Sequence, residues 1–160
     1  MTIDALQWLD QQIHGALALS PTNTSYVYGI DSDYDGPCAL DYDPWEHAEL
    51  LDVSIVTRDH LPNPRMVACY SKKRRAIFLL PGLPTAIERC AIAHEIVHHE
   101  YGDIGTTKSQ ENRADRIAAR RLIRPSRIEQ LRHETDDLAH IALELNVTER
   151  IMRAYVRDRN

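Results

Sequence analysis

His94, Glu95 and His98 are the residues of this chain whose types and spacing most directly specify chemistry, reading His-Glu-x-x-His inside a helical run. Residues four apart on an α-helix stand one turn above the other on the same face. His94 and His98 can therefore offer two neutral imidazole nitrogens to one Zn2+ ion. Glu95 projects beside them without being a ligand, placed to take a proton from a water held there. A third ligand is needed. Glu111 and Asp115, in Gln110-Glu111-Asn112-Arg113-Ala114-Asp115, are also four apart and share a face of the next helix. Glu111 could complete the site. Asp115 could accept a hydrogen bond from the far ring nitrogen of a ligating histidine and so fix its tautomer. Two histidines, one glutamate and a water make an open catalytic site rather than a closed structural one.

The elements that must hold these residues can be read in order. Residues 3–14 have a helical apolar stripe of Leu6, Leu9 and Ile13, and Tyr26-Val27-Tyr28 suits a short strand in a polar stretch. Asp31-Ser32-Asp33-Tyr34-Asp35-Gly36 matches the first half of a calcium loop, but Pro37 and Tyr42 spoil the second half, so it reads as an acidic turn. Asp43-Pro44-Trp45-Glu46 opens a helix to about Leu51. Strands are expected at Val53–Thr57, Arg65–Tyr70 and Arg75–Leu80, the last two joined by a hairpin at Ser71–Arg74. They predict a small antiparallel sheet beside the metal helix, with an edge open to an extended peptide. Thr85–Glu88 and Thr107–Gln110 read as capping boxes for the two site helices, with Gly102 and Gly105 ending the first and Pro125 stopping the second. Ser126–Glu129 opens another helix by the same logic. Residues 141–152 then resemble a helix-turn-helix, with Ala142 at the crossing, Asn146 in the turn and Thr148 as cap. Its second helix carries Arg150, Arg153 and Arg157, only a modest base-reading surface beside Glu149 and Asp158, so the region reads as a helical packing or partner-docking module rather than a DNA contact.

Composition bounds the class. At 160 residues, 43% hydrophobic and 27% charged, the chain suits one globular domain with a real core. No apolar run approaches a membrane span, and no basic, then apolar, leader opens the sequence, so the expected location is the cytoplasm. Cys38, Cys69 and Cys90 lack metal-ligand spacing and read as reduced, packed thiols. The net charge of −5 is uneven: residues 1–60 carry −10, residues 111–160 carry +2 and the middle, by difference, +3. The acidic start could face a basic partner, although such charge more often forms a solvated face.

The segment Ala93-His94-Glu95-Ile96-Val97-His98, preceded by Ile77-Phe78-Leu79-Leu80, resembles the ImmA/IrrE family of metallo-endopeptidases. The run from Glu111 to Pro125 is similar to that family's second motif. It keeps the glutamate, the Ala114-Asp115 pair, Ala118 and the closing proline, while Ile117 and Arg121 replace the commoner aromatic and aliphatic residues. The resemblance spans roughly residues 45–156. It implies a minimal thermolysin-like α+β fold, with 44–125 as the zinc peptidase core and 126–160 as a C-terminal helix-turn-helix-like part; residues 1–43, outside the resemblance, read from the sequence itself as an N-terminal helix and acidic loop. The resemblance implies zinc on His94, His98 and Glu111, Glu95 as the base and Asp115 behind the ligands. The implied substrate is a helix-turn-helix repressor of a phage, mobile-element or stress-response switch. The tetrahedral oxyanion needs a stabiliser besides the metal, and Tyr101, Tyr70 and His99 are the candidates. His99 points about 100° away from His98. The alternative function is a non-proteolytic binding module docking a repressor or DNA through the C-terminal helices, with a structural metal.

Overall fold

The computed structural model describes residues 41–105 and 107–159, so the readings for residues 3–14, 26–28 and 31–37 and for Cys38 lie outside the described residues. The described chain is α+β. Helix α1 (Pro44–Leu50) is followed by strands β1 (Ser54–Thr57), β2 (Ala68–Ser71) and β3 (Ala76–Leu79). Helices α2 (Thr85–Tyr101), α3 (Lys108–Leu122), α4 (Pro125–Arg132), α5 (Leu138–Glu144) and α6 (Glu149–Arg159) complete it. Among these residues, no helix is long and apolar enough to cross a membrane.

The sheet order is β1-β3-β2, and it is mixed rather than antiparallel throughout. β2 and β3 form the expected antiparallel hairpin, with Cys69 opposite Phe78, while β1 runs parallel to β3, with Ile55 opposite Ile77. The cause is topological. The chain reverses between β1 and β2 and again between β2 and β3. When β3 inserts between the other two, it must run parallel to β1. All four residues of β3 are buried, as a strand covered on both faces requires. Ile77 and Leu79 face α2 with Ala48, Ile92 and Ile96, while Ala76 and Phe78 pack with Leu61 and Cys69 on the other side.

Helix α2 divides its circumference by residue spacing. Ile92 and Ile96, four apart, meet the sheet. Val97 packs against Ala114 and Ile117 of α3, and Cys90 and Ala93 join Ala118, Ala119 and Leu122. Alanines at this crossing let the two helix backbones approach closely. The polar face, His94, Glu95 and His98, is left looking along α3's first turn. The C-terminal helices do not have a core of their own among these residues. Ile128, Ile141, Val147, Ile151, Met152 and Tyr155 share one apolar cluster with α3 residues on the other side of position 125. Asn146 takes the left-handed conformation expected in the turn, at φ 51°.

The caps differ in part from expectation. Asp43 caps α1, accepting from Trp45 N at 2.8 Å, and Thr107 with Gln110 forms both halves of the capping box of α3. Thr85 and Ser126 do not cap. Pro84 takes the cap position of α2, making Thr85 the first helical residue, and Pro125 starts α4 one residue before Ser126. Proline's fixed φ favours the first helical positions, so it sets the start in α4.

Behind the site helix, a buried cluster ties three helices together. Glu100 of α2 receives Arg121 of α3 through two contacts, Nη1–Oε2 at 2.9 Å and Nη2–Oε1 at 3.0 Å. His47 of α1 lies with Nε2 3.5 Å from Glu100 Oε1, and its Nδ1 meets the Tyr42 hydroxyl at 2.9 Å. Burial first, then the Arg121 and His99 charges, lowers the His47 pKa from 6.5 to about 3. The unfolded chain therefore binds this proton over a range where the native protein does not, and His47's contribution to stability is lost as pH falls below 6.5. At pH 5 this is about 2 kcal/mol, from ~1.4 kcal/mol per pH unit. The unfolding free-energy difference between wild type and His47→Gln should shrink by about that amount between pH 7 and pH 5. A pH-independent difference in denaturant titrations would contradict this.

Candidate metal centre and cleft

The four-residue spacing on α2 brings the two Nε2 atoms of His94 and His98 to 3.1 Å. Glu111, in the first turn of α3, completes a triangle: Oε2 lies 3.4 Å from His94 Nε2 and Oε1 lies 3.2 Å from His98 Nε2. One ligand atom from each residue fits within 4.8 Å of the others. Zinc bonds of about 2.0–2.1 Å at tetrahedral angles give ligand–ligand edges of about 3.3 Å. The contacts to the two histidines come from different Glu111 oxygens, so the three distances are not the edges of a single face, but each lies close to that value and the three residues could hold a small divalent ion. His94 and His98 are buried, while the Glu111 side chain is 33% exposed, which leaves the centre open on one side. That side is a cleft of about 430 Å3 bordered by β2, α2 and the start of α6.

Each histidine of the triangle is held from behind by a carboxylate. His94 Nδ1 bonds Asp115 Oδ1 at 2.9 Å, as the sequence suggested, and His98 Nδ1 bonds Asp103 Oδ2 at 2.8 Å. With the proton on Nδ1, the single lone pair of each Nε2 is free to point into the triangle. Asp103 was not singled out from the sequence. The signal available was Gly102, whose left-handed φ of 64° ends α2 and turns the chain back, so that the next residue lies under His98. Asp103 is itself fixed by Gln110 Nε2 at 3.0 Å and by Arg113 Nη2 at 2.6 and 2.7 Å. Removing either carboxylate by Asp103→Ala or Asp115→Ala should weaken zinc binding about 10–100-fold. Chelator competition measures this, and wild-type affinity in both variants would refute the orienting role.

The electrostatics follow from this packing. Burial opposes the charged form of His94, but hydrogen bonds to Asp115 and Glu111 outweigh it and hold its pKa up at about 9. His98 is likewise raised against burial, by Glu111 and Asp103. The two histidines hold the Glu111 carboxyl well below the usual range. Without metal, the carboxylates are thus paired with imidazolium protons, which a bound dication must displace. Burial pushes Glu95 up, against the pull of His94 and His98. Glu95 Oε2 accepts the Tyr70 N–H of β2 at 2.8 Å, which fixes the carboxylate beside the ligands.

The three oxyanion candidates are not brought together at the metal triangle. The Tyr70 hydroxyl meets His99 Nδ1 at 2.7 Å, and its ring packs on the cluster between sheet and α2. The cleft wall includes Tyr70 but neither His99 nor Tyr101. Tyr101 is exposed, with the Arg113 guanidinium 4.1 Å from its ring centre. Arg150, in the helix-turn-helix-like part, lines the cleft and donates to Asp115 and Glu111. Cys69 and Cys90 also line the cleft. Burial raises both thiols, Cys69 to about 12, so neither is poised as a thiolate.

Neither a protein family, nor a curated protein, nor a solved structure matches this chain.

Proposed function

We propose that the chain is a zinc-dependent endopeptidase of the cytoplasm, acting on a helix-turn-helix repressor as its resemblance to the ImmA/IrrE family implies. The observation that carries the reading is the triangle of His94, His98 and Glu111 with the buried Glu95 beside it. Zinc held by those three residues would supply Lewis acidity and an acidified water. Glu95 takes the proton as the water adds to the peptide carbonyl, and returns it to the leaving amine. Burial, which favours its protonated form, suits a group that must carry a proton between two steps.

The edge of β2 offers a way to hold an extended substrate. Leu80 N donates to Val67 O, so by the antiparallel register residues 67, 69 and 71 turn their polar groups to β3. Ala68 and Tyr70 turn theirs to the open side, where Tyr70 N–H already serves Glu95. Ala68 is left to exchange hydrogen bonds with an added strand in the cleft. The binding-module alternative has less support: Arg150 is engaged with the site carboxylates and Arg153 with Glu149. The test is incubation of zinc-loaded protein with a panel of helix-turn-helix repressors, any encoded in a neighbouring reading frame included, read by mass spectrometry. A single metal-dependent cut in one of them is expected. A panel left intact by fully metal-loaded protein would overturn the assignment.

A further inference from the structure

Arg150 stands in the first turn of α6, far along the chain from the motifs that make the metal triangle. Its Nε donates to Asp115 Oδ2 at 2.8 Å, and its Nη2 donates to Glu111 Oε2 at 3.2 Å. The same Glu111 oxygen lies 3.4 Å from His94 Nε2, and the other Asp115 oxygen bonds His94 Nδ1 at 2.9 Å. One guanidinium thus bridges the carboxylate at the metal triangle and the carboxylate that orients His94, closing a ring through Arg150, Glu111, His94 and Asp115. A planar fork with several donors is suited to holding two carboxylates at once.

The helix that carries this arginine is packed at both ends. Ile151 and Met152, the residues that follow it, are buried in the cluster shared with α3. Thr148 N donates to Cys90 Sγ at 3.4 Å, one helical turn before His94, and at the far end of α6 Asp158 accepts from Arg120 of α3 at 2.5 Å. Without the bridge, two carboxylates one turn apart on α3 would repel each other, and the half-exposed Glu111 could swing into the cleft.

We propose that Arg150 is a positioning residue of the metal centre, setting the rotamers of Glu111 and Asp115, so that the grip on the ion depends on the docking of α6. This rests on the reading of His94, His98 and Glu111 as ligands. A helix that merely covers the core would leave metal binding unaffected when this exposed side chain is changed.

The test uses the full chain, with zinc affinity by chelator competition and the visible absorption of the cobalt-substituted protein as readouts. The metal-free variants are melted as a check on folding. Arg150→Met should bind zinc about 10–100-fold more weakly than wild type and change the cobalt spectrum. Arg150→Lys should recover part of the loss, because an ammonium restores charge but not the fork. Arg153→Met, which loses only a pair with Glu149, should match wild type. Wild-type affinity and spectrum in Arg150→Met would overturn the proposal, as would an equal loss in Arg153→Met. If Arg150→Met fails to fold, Arg150→Lys decides: weaker binding supports the proposal, and unchanged binding overturns it. Absence of zinc binding by the wild type would overturn the ligand reading itself, a result distinct from any of these.

Discussion

Glu95→Gln should abolish repressor cleavage, by about 10²–10⁴-fold or more, while the protein still binds one equivalent of zinc. The amide keeps the size of the carboxylate and can still accept the Tyr70 N–H, which Glu95 takes at 2.8 Å. The cleft is therefore preserved and only the proton acceptor is lost. Glu95 is not among the three residues of the metal triangle, so the metal content should not change. Parallel measurement of bound zinc and of cleavage separates the two effects. Retained cleavage would remove Glu95 from its role. Joint loss of zinc and cleavage would instead make Glu95 part of the metal's support.

Glu111→Ala should have the opposite signature: loss of the metal first, and of activity because of it. Changing a group behind a ligand already costs about 10–100-fold in affinity, so deleting one of three ligands should cost more than about 100-fold. The loss is also visible in stability. A ligand present at a thousand times its dissociation constant stabilises the folded state by about 4 kcal/mol. Wild type should gain in melting temperature on zinc addition and lose the gain with a chelator, whereas Glu111→Ala should show neither shift. A zinc-dependent rise of equal size in the variant would mean that the ion binds elsewhere.

The sequence revealed most where the relevant geometry is local. The helical repeat alone puts His94 over His98 and Glu111 over Asp115, and the structure adds that both pairs converge. The Thr107–Gln110 box was legible for the same reason, since all its bonds lie within one turn. What could not be read depends on how distant segments meet. Asp103 reaches His98 only because Gly102 turns the chain, and Arg150 reaches Glu111 only because α6 docks on α3 through Ile151, Met152 and Tyr155. Strand order is likewise a long-range property. The unbroken apolar run Ala76–Leu79 did carry a hint that β3 is central, because a strand covered on both faces has no need to alternate. The surroundings of the oxyanion candidates are a long-range property too: the Tyr70 hydroxyl meets His99, which stands 29 residues further along the chain.

X-ray absorption at the zinc edge of the purified, zinc-loaded chain tests the central claim most directly. The account predicts one zinc per chain, bound only by nitrogen and oxygen at about 2.0–2.2 Å, with the outer-shell signature of two imidazoles. Substoichiometric zinc, or a sulfur scatterer at about 2.3 Å from Cys69 or Cys90, would contradict it.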